Sequence, residues 1–144
     1  MLGYPGETEE DIKQTLHHLC HSNPELFTIT IAYPIKGTGL YEEVEELAIQ
    51  ELDWNTSTDR DFDFVRTYPK KYYDYAVRWV VNGVHLHKAR LAGKAFSFSG
   101  LKLQLKVILA RMGMWWYRHF GTKPKAIGIP SSLPNTSAGL LSDA

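Results

Sequence analysis

Two glycine-bearing stretches hold the residues best placed for ligand chemistry: Gly3-Tyr4-Pro5-Gly6-Glu7-Thr8 and Pro34-Ile35-Lys36-Gly37-Thr38. Glycine lets backbone approach a bound molecule closely, and a helix that starts just after the loop offers N–H groups with no partner inside the helix. The same Gly and Pro also serve simply as tight turns. A second cluster, His17, Cys20 and His21, has the spacing of one helix face. Imidazole and thiolate both suit zinc, yet this set needs a further ligand from elsewhere, and an outer helix carries such residues without any metal. His85 and His87, two apart, point to nearly opposite sides of a helix. The acidic run Glu42-Glu43-Glu45-Glu46 has carboxylates enough for acid–base work. It equally fits a solvated first turn that suits the helix dipole.

The elements that must position these residues follow from periodicity. Leu2-Gly3 reads as a strand end breaking into a turn. Thr8 and the acids Glu9, Glu10 and Asp11 cap a helix from about Glu9 to His21, with Ile12, Leu16 and Leu19 on its apolar face. "LFTITIAY" over Leu26–Tyr33 predicts a largely buried strand, and a second acidic helix spans about Gly39 to Gln50. The second half predicts two long helices, about Pro69–Ala92 and Ser99–Phe120. On the last helix Leu101, Leu105, Ile108, Leu109, Met112, Trp115 and Trp116 form a wide apolar face. Leu103, Val107 and Met114 form a narrower one.

Composition sets outer bounds. Apolar residues make up 44% of 144, enough for a globular core. Cys20 is the single cysteine, so no internal disulfide forms, and one thiol suits a reducing compartment. No secretory signal and no membrane-spanning run stand out, so a cytoplasmic location is expected, with membrane contact at the periphery. The zero net charge hides a split. Residues 1–63 hold fourteen acids against Lys13, Lys36 and Arg60, and residues 64–125 hold thirteen Lys and Arg against Asp74. Either the halves attract each other or the basic half meets an anionic partner. Tyr68, Tyr72, Tyr73, Tyr75 and Trp79, interleaved with Lys70, Lys71 and Arg78, suit phosphate and headgroup contact, or packing against acidic helices.

"GYPGETEEDIKQTL" followed by "TITIAYPIKGTGLYEEV" resembles the distal part of a radical S-adenosylmethionine enzyme, in the branch that often carries a cobalamin-binding domain. The resemblance covers residues 1–52. It implies an α/β fold over those residues, the last βα units of a TIM-type (β/α) barrel; periodicity and composition predict a connector over 53–63, a helical C-terminal extension over 64–121 and a disordered tail over 122–144. It further implies that Gly3, Tyr4, Pro5 and Gly6 wall the adenosine of S-adenosylmethionine. Tyr33 and Pro34 would then face the adenine edge, and Gly37 and Thr38 would turn the chain and cap the next helix. The family often has proline where this chain has Lys36.

The family's reaction also requires a Cys-x-x-x-Cys-x-x-Cys loop for a [4Fe–4S] cluster, which this sequence lacks. The resemblance therefore implies a C-terminal fragment that needs the missing N-terminal portion of the barrel and is inactive alone. The intact parent would act on a small-molecule or lipid-like substrate, with cobalamin as a further cofactor. Relatives that bind RNA end in a small β-barrel, whereas this ending is helical, so no specific nucleic acid is expected. The alternative is a non-catalytic module whose basic and aromatic helices dock on a membrane surface or an acidic partner. Peripheral membrane contact is compatible with both readings.

Overall fold

The computed structural model describes residues 1–45, 48 and 63–122. The expected connector apart from Asp63, the expected tail apart from Thr122, and all but Ala48 of the expected helix end at 46–50 lie outside those residues.

Four helices dominate what is described: α1 (Glu9–Ser22), α2 (Gly39–Val44), α3 (Lys70–Leu91) and α4 (Phe98–Phe120). Helix α1 starts where its cap chemistry dictates. The Thr8 hydroxyl accepts from the Asp11 N–H while the Asp11 carboxylate accepts from the Thr8 N–H at 2.8 Å, a reciprocal capping box. It ends at Asn23, held in the left-handed region at φ 44°. Pro69 stands at the N-cap of α3, and Gly93, at φ 67°, follows its end. Ser97 caps α4 by accepting from the Gly100 N–H at 3.2 Å.

The expected (β/α)-barrel fold is wrong. Among the described residues there is no sheet, only a parallel bridge between Leu2 and Ile31 and an antiparallel one between Ala48 and Phe64. A ladder needs successive paired residues, and here the pairing stops at one. The 26–33 segment is not largely buried either. Leu26, Thr28 and Thr30 are exposed, Phe27, Ile29 and Ile31 are half-buried, and only Ala32 within it is buried, so one side is covered until the chain turns in at Ala32. That side is covered by helices rather than by strands: the domain is small and helical.

Helix α3 lies at the centre, packed against α4 along its length and against α1 on another side. The main core joins Leu2 and Ile12 to Tyr72, Tyr73, Ala76, Trp79 and Val80 of α3 and to Ala110 and Met114 of α4. Helices α3 and α4 approach closely at Gly113, where an added Cβ would fall 2.3 Å from the Tyr75 ring. A smaller cluster of Tyr41, Val44, Ala48 and Phe64 holds α2. The two halves touch through opposite charges: Arg118 donates to Glu9 at 2.6 Å, and Lys70 lies 3.6 Å from Asp63.

Candidate functional site

The two glycine stretches form the same kind of turn. In the first, the Glu7 N–H donates to the Tyr4 carbonyl at 3.0 Å and Gly6 sits at φ 77°. In the second, the Thr38 N–H donates to the Ile35 carbonyl at 3.0 Å and Gly37 sits at φ 85°. A positive φ at the third residue alone defines a type II turn, which favours proline at the second position without requiring it. Pro5 fills that position in one loop and Lys36 in the other, so the departure at Lys36 leaves the turn intact.

Pairing at Leu2 brings the two loops side by side. The Leu2 N–H donates to Thr30 O at 2.9 Å, and the Ala32 N–H donates to Leu2 O at 2.7 Å. Beyond that bridge, the Tyr4 hydroxyl reaches across to Glu43 Oε2 at 2.9 Å. This bond holds the Tyr4 hydroxyl above its ordinary pKa, because ionising it would put two anions together. Of the residues expected at the site, Gly3 and Pro34 are buried, Pro5 and Tyr33 half-buried, and Tyr4, Gly6, Gly37 and Thr38 exposed. Added Cβ atoms at Gly6 and Gly37 would meet nothing within 4 Å, so both turns present open backbone to solvent.

Two residues to which the sequence reading gave no role support this arrangement. Glu7 Oε2 accepts from the Gly3 N–H at 2.6 Å and closes the first loop on itself. Desolvation raises the pKa of its carboxyl, and the Gly3 bond works in the opposite direction. Arg66 is the buried prop beneath both loops. Its guanidinium donates to the Ala32 carbonyl at 3.0 Å, pairs with Asp63 and lies 4.1 Å over the Phe64 ring. Its Cδ would stand 3.3 Å from a Cβ added at Gly3, so glycine makes room for it as well as supplying φ 86°. Glu7 was discernible as a carboxylate four residues after a loop glycine. Arg66 stands in a segment without periodicity and offered no signal.

The capping box takes up one of the N–H groups expected to be free at the head of α1, that of Asp11, and Glu9, Glu10 and Asp11 surround the helix start with negative charge. Thr38 accepts from the Tyr41 N–H at 3.4 Å and donates to Ile35 O at 2.7 Å. The loops therefore suit a neutral or cationic group better than a phosphate.

His17 and His21 stack with centroids 6.5 Å apart and line a shallow open groove with Glu10, Lys13 and His18. Burial pushes the Cys20 thiol pKa up, away from the thiolate a metal needs. Among the described residues no group of three His, Cys, Asp or Glu could hold a metal. A [4Fe–4S] cluster does not fit this chain, because its donor set stops at one cysteine. Tyr72, Tyr73 and Trp79 are buried in the core and unavailable for stacking on a base or headgroup. No helix among the described residues is long and apolar enough to cross a membrane.

Comparison of the chain with protein-family models, with curated proteins and with solved structures finds no match.

Proposed function

We propose that this chain supplies part of the adenosine-side wall for S-adenosylmethionine in a radical enzyme whose cluster-binding cysteines lie outside it. The observation that carries the reading is the juxtaposition of two like turns. Gly3–Gly6 and Tyr33–Thr38 are far apart in sequence, yet the Leu2–Ile31 bridge and the Tyr4–Glu43 bond tie them together. Their exposed glycine backbone admits a flat ring without a side chain in the way, and Tyr4 adds an exposed aromatic edge. The acid-rich surroundings favour a sulfonium over a phosphate.

When bound with its cluster, the cofactor supplies the radical chemistry on an unreactive carbon of a small-molecule or lipid-like substrate. Cobalamin enters the proposal only through the branch that the loop motifs resemble. This chain's residues bind and orient. Gly6 and Gly37 hold the backbone open, Gly3 makes room for Arg66, Glu7 and Arg66 fix the loops, and the chain alone does not catalyse.

Equilibrium dialysis of the chain against labelled S-adenosylmethionine, with ATP as the adenine-bearing control, tests this. Retention of the sulfonium ligand over ATP is expected. Gly6→Val should weaken it about tenfold, because a β-branched residue at positive φ costs roughly 1–3 kcal/mol and reshapes the turn. Equal retention of ATP, or unchanged binding in the variant, contradicts the proposal.

A further inference from the structure

Helix α4 is apolar on two opposite faces, and among the described residues only one of them is packed into the core. The face carrying Ala110 and Met114, with Val107 and Tyr117 beside them, packs into the core. The opposite face carries Leu101, Leu105, Ile108, Leu109, Met112, Trp115, Trp116 and Phe120, each more than half exposed. At about 100° per residue these side chains fall in one stripe running the length of the helix, roughly 34 Å. A continuous apolar stripe of this length is far more than scattered surface leucines.

Charge decides what the stripe meets. Lys102 and Lys106 lie along one edge, Arg111 and Arg118 along the other, and residues 98–120 contain no acid. Lys102 Nζ sits 4.2 Å over the Phe98 ring, at the border of the stripe. Arg118 is already paired with Glu9, so the lysines and Arg111 carry most of the unspent charge. The acidic helix α1 contacts α3, which lies on the packed side of α4, and of its acids Glu9 reaches α4, through Arg118. Two copies meeting through this face would bring like-charged edges together, which disfavours a symmetric pair. Adjacent tryptophans near one end of a cation-edged stripe match the layer where headgroups meet acyl chains.

We infer that α4 docks lengthwise on an anionic lipid surface, its apolar stripe entering the headgroup layer and its flanking cations meeting lipid phosphates. The inference is independent of the cofactor proposal. Because α3 and α1 stand behind α4, docking leaves the glycine loops on the same polypeptide without demanding that any helix cross the bilayer.

The test is co-sedimentation of the whole chain with phosphatidylcholine vesicles, with and without phosphatidylglycerol. Binding is expected only to the anionic vesicles and should fall as salt rises. Lys102→Gln with Lys106→Gln should lower partitioning roughly thirtyfold, since each such cation near a charged leaflet is worth about a factor of five. Leu105→Glu with Leu109→Glu should abolish it while leaving the helical circular dichroism intact, because both side chains are exposed in the folded chain. Equal binding to neutral vesicles, binding indifferent to salt or to the lysine substitutions, or no binding at all overturns the inference. So does a dimer in light scattering that the paired leucine substitutions dissolve, which would make a second copy the occupant.

Discussion

Tyr72 shows how a single side chain is held by what surrounds it rather than by what it bonds. It is fully buried, stacked on Tyr68 at 4.2 Å and edge-on to Tyr73 at 5.4 Å, yet its hydroxyl has no hydrogen-bond partner among the described residues. Burial, with Glu9 adding to it, pushes that hydroxyl well above the usual tyrosine range, so it stays protonated through any working pH. An unpaired buried hydroxyl loses its water without gaining a partner. Tyr72→Phe should therefore stabilise the fold by about 1 kcal/mol in urea denaturation, and a loss of that size would mean the hydroxyl is satisfied after all. Glu7 is the opposite case, tied to the Gly3 N–H, and Arg66 stands between the two, with its terminal nitrogens bonded to Asp63 and the Ala32 carbonyl and its Nε buried with no partner among the described residues. The turn glycines were legible because positive φ has a strong residue preference, whereas Arg66 was not, because a buried arginine is specified by tertiary neighbours that no local pattern encodes.

At the scale of elements, helices were legible and strands were not. Periodicity and caps located α1 within a residue of its end, and α3 and α4 within a residue or so of both ends. The run 26–33 has the composition of a strand, but strand identity depends on partners, and only Leu2 pairs with it. The sequence also showed two apolar stripes on α4 without showing which one packs. The answer lies at Gly113 and Ala110, small residues that let α4 settle against Tyr75 and Ala76 of α3 while Met114 fills the core, and the wider stripe is left outward. Gly113→Val should wedge the two helices apart and cost about 2–3 kcal/mol, read as a lowered denaturation midpoint. A midpoint unchanged by that substitution would show that α3 and α4 are not in close contact there.

Across the described residues, the charge split of the sequence is used internally where Asp63 meets Arg66 and Lys70 and where Glu9 meets Arg118 at 2.6 Å, and the last, partly exposed contact contributes at most about 1 kcal/mol. Its larger consequence is spatial: acids gather around the glycine loops and α1, and cations line the outer helix. The central claim is that the two loops, joined at Leu2 and by Tyr4 to Glu43, act as one binding surface. Nitrogen-15 NMR titration of the chain with S-adenosylhomocysteine tests it most directly, because amide shifts report contact residue by residue even for a weak ligand. The account predicts that amides in Gly3–Thr8 and Tyr33–Thr38 shift together along one saturation curve, and that Tyr4→Phe, which cuts the tie to Glu43, reduces both sets. Shifts confined to one loop, or centred on α3 and α4 instead, would contradict it.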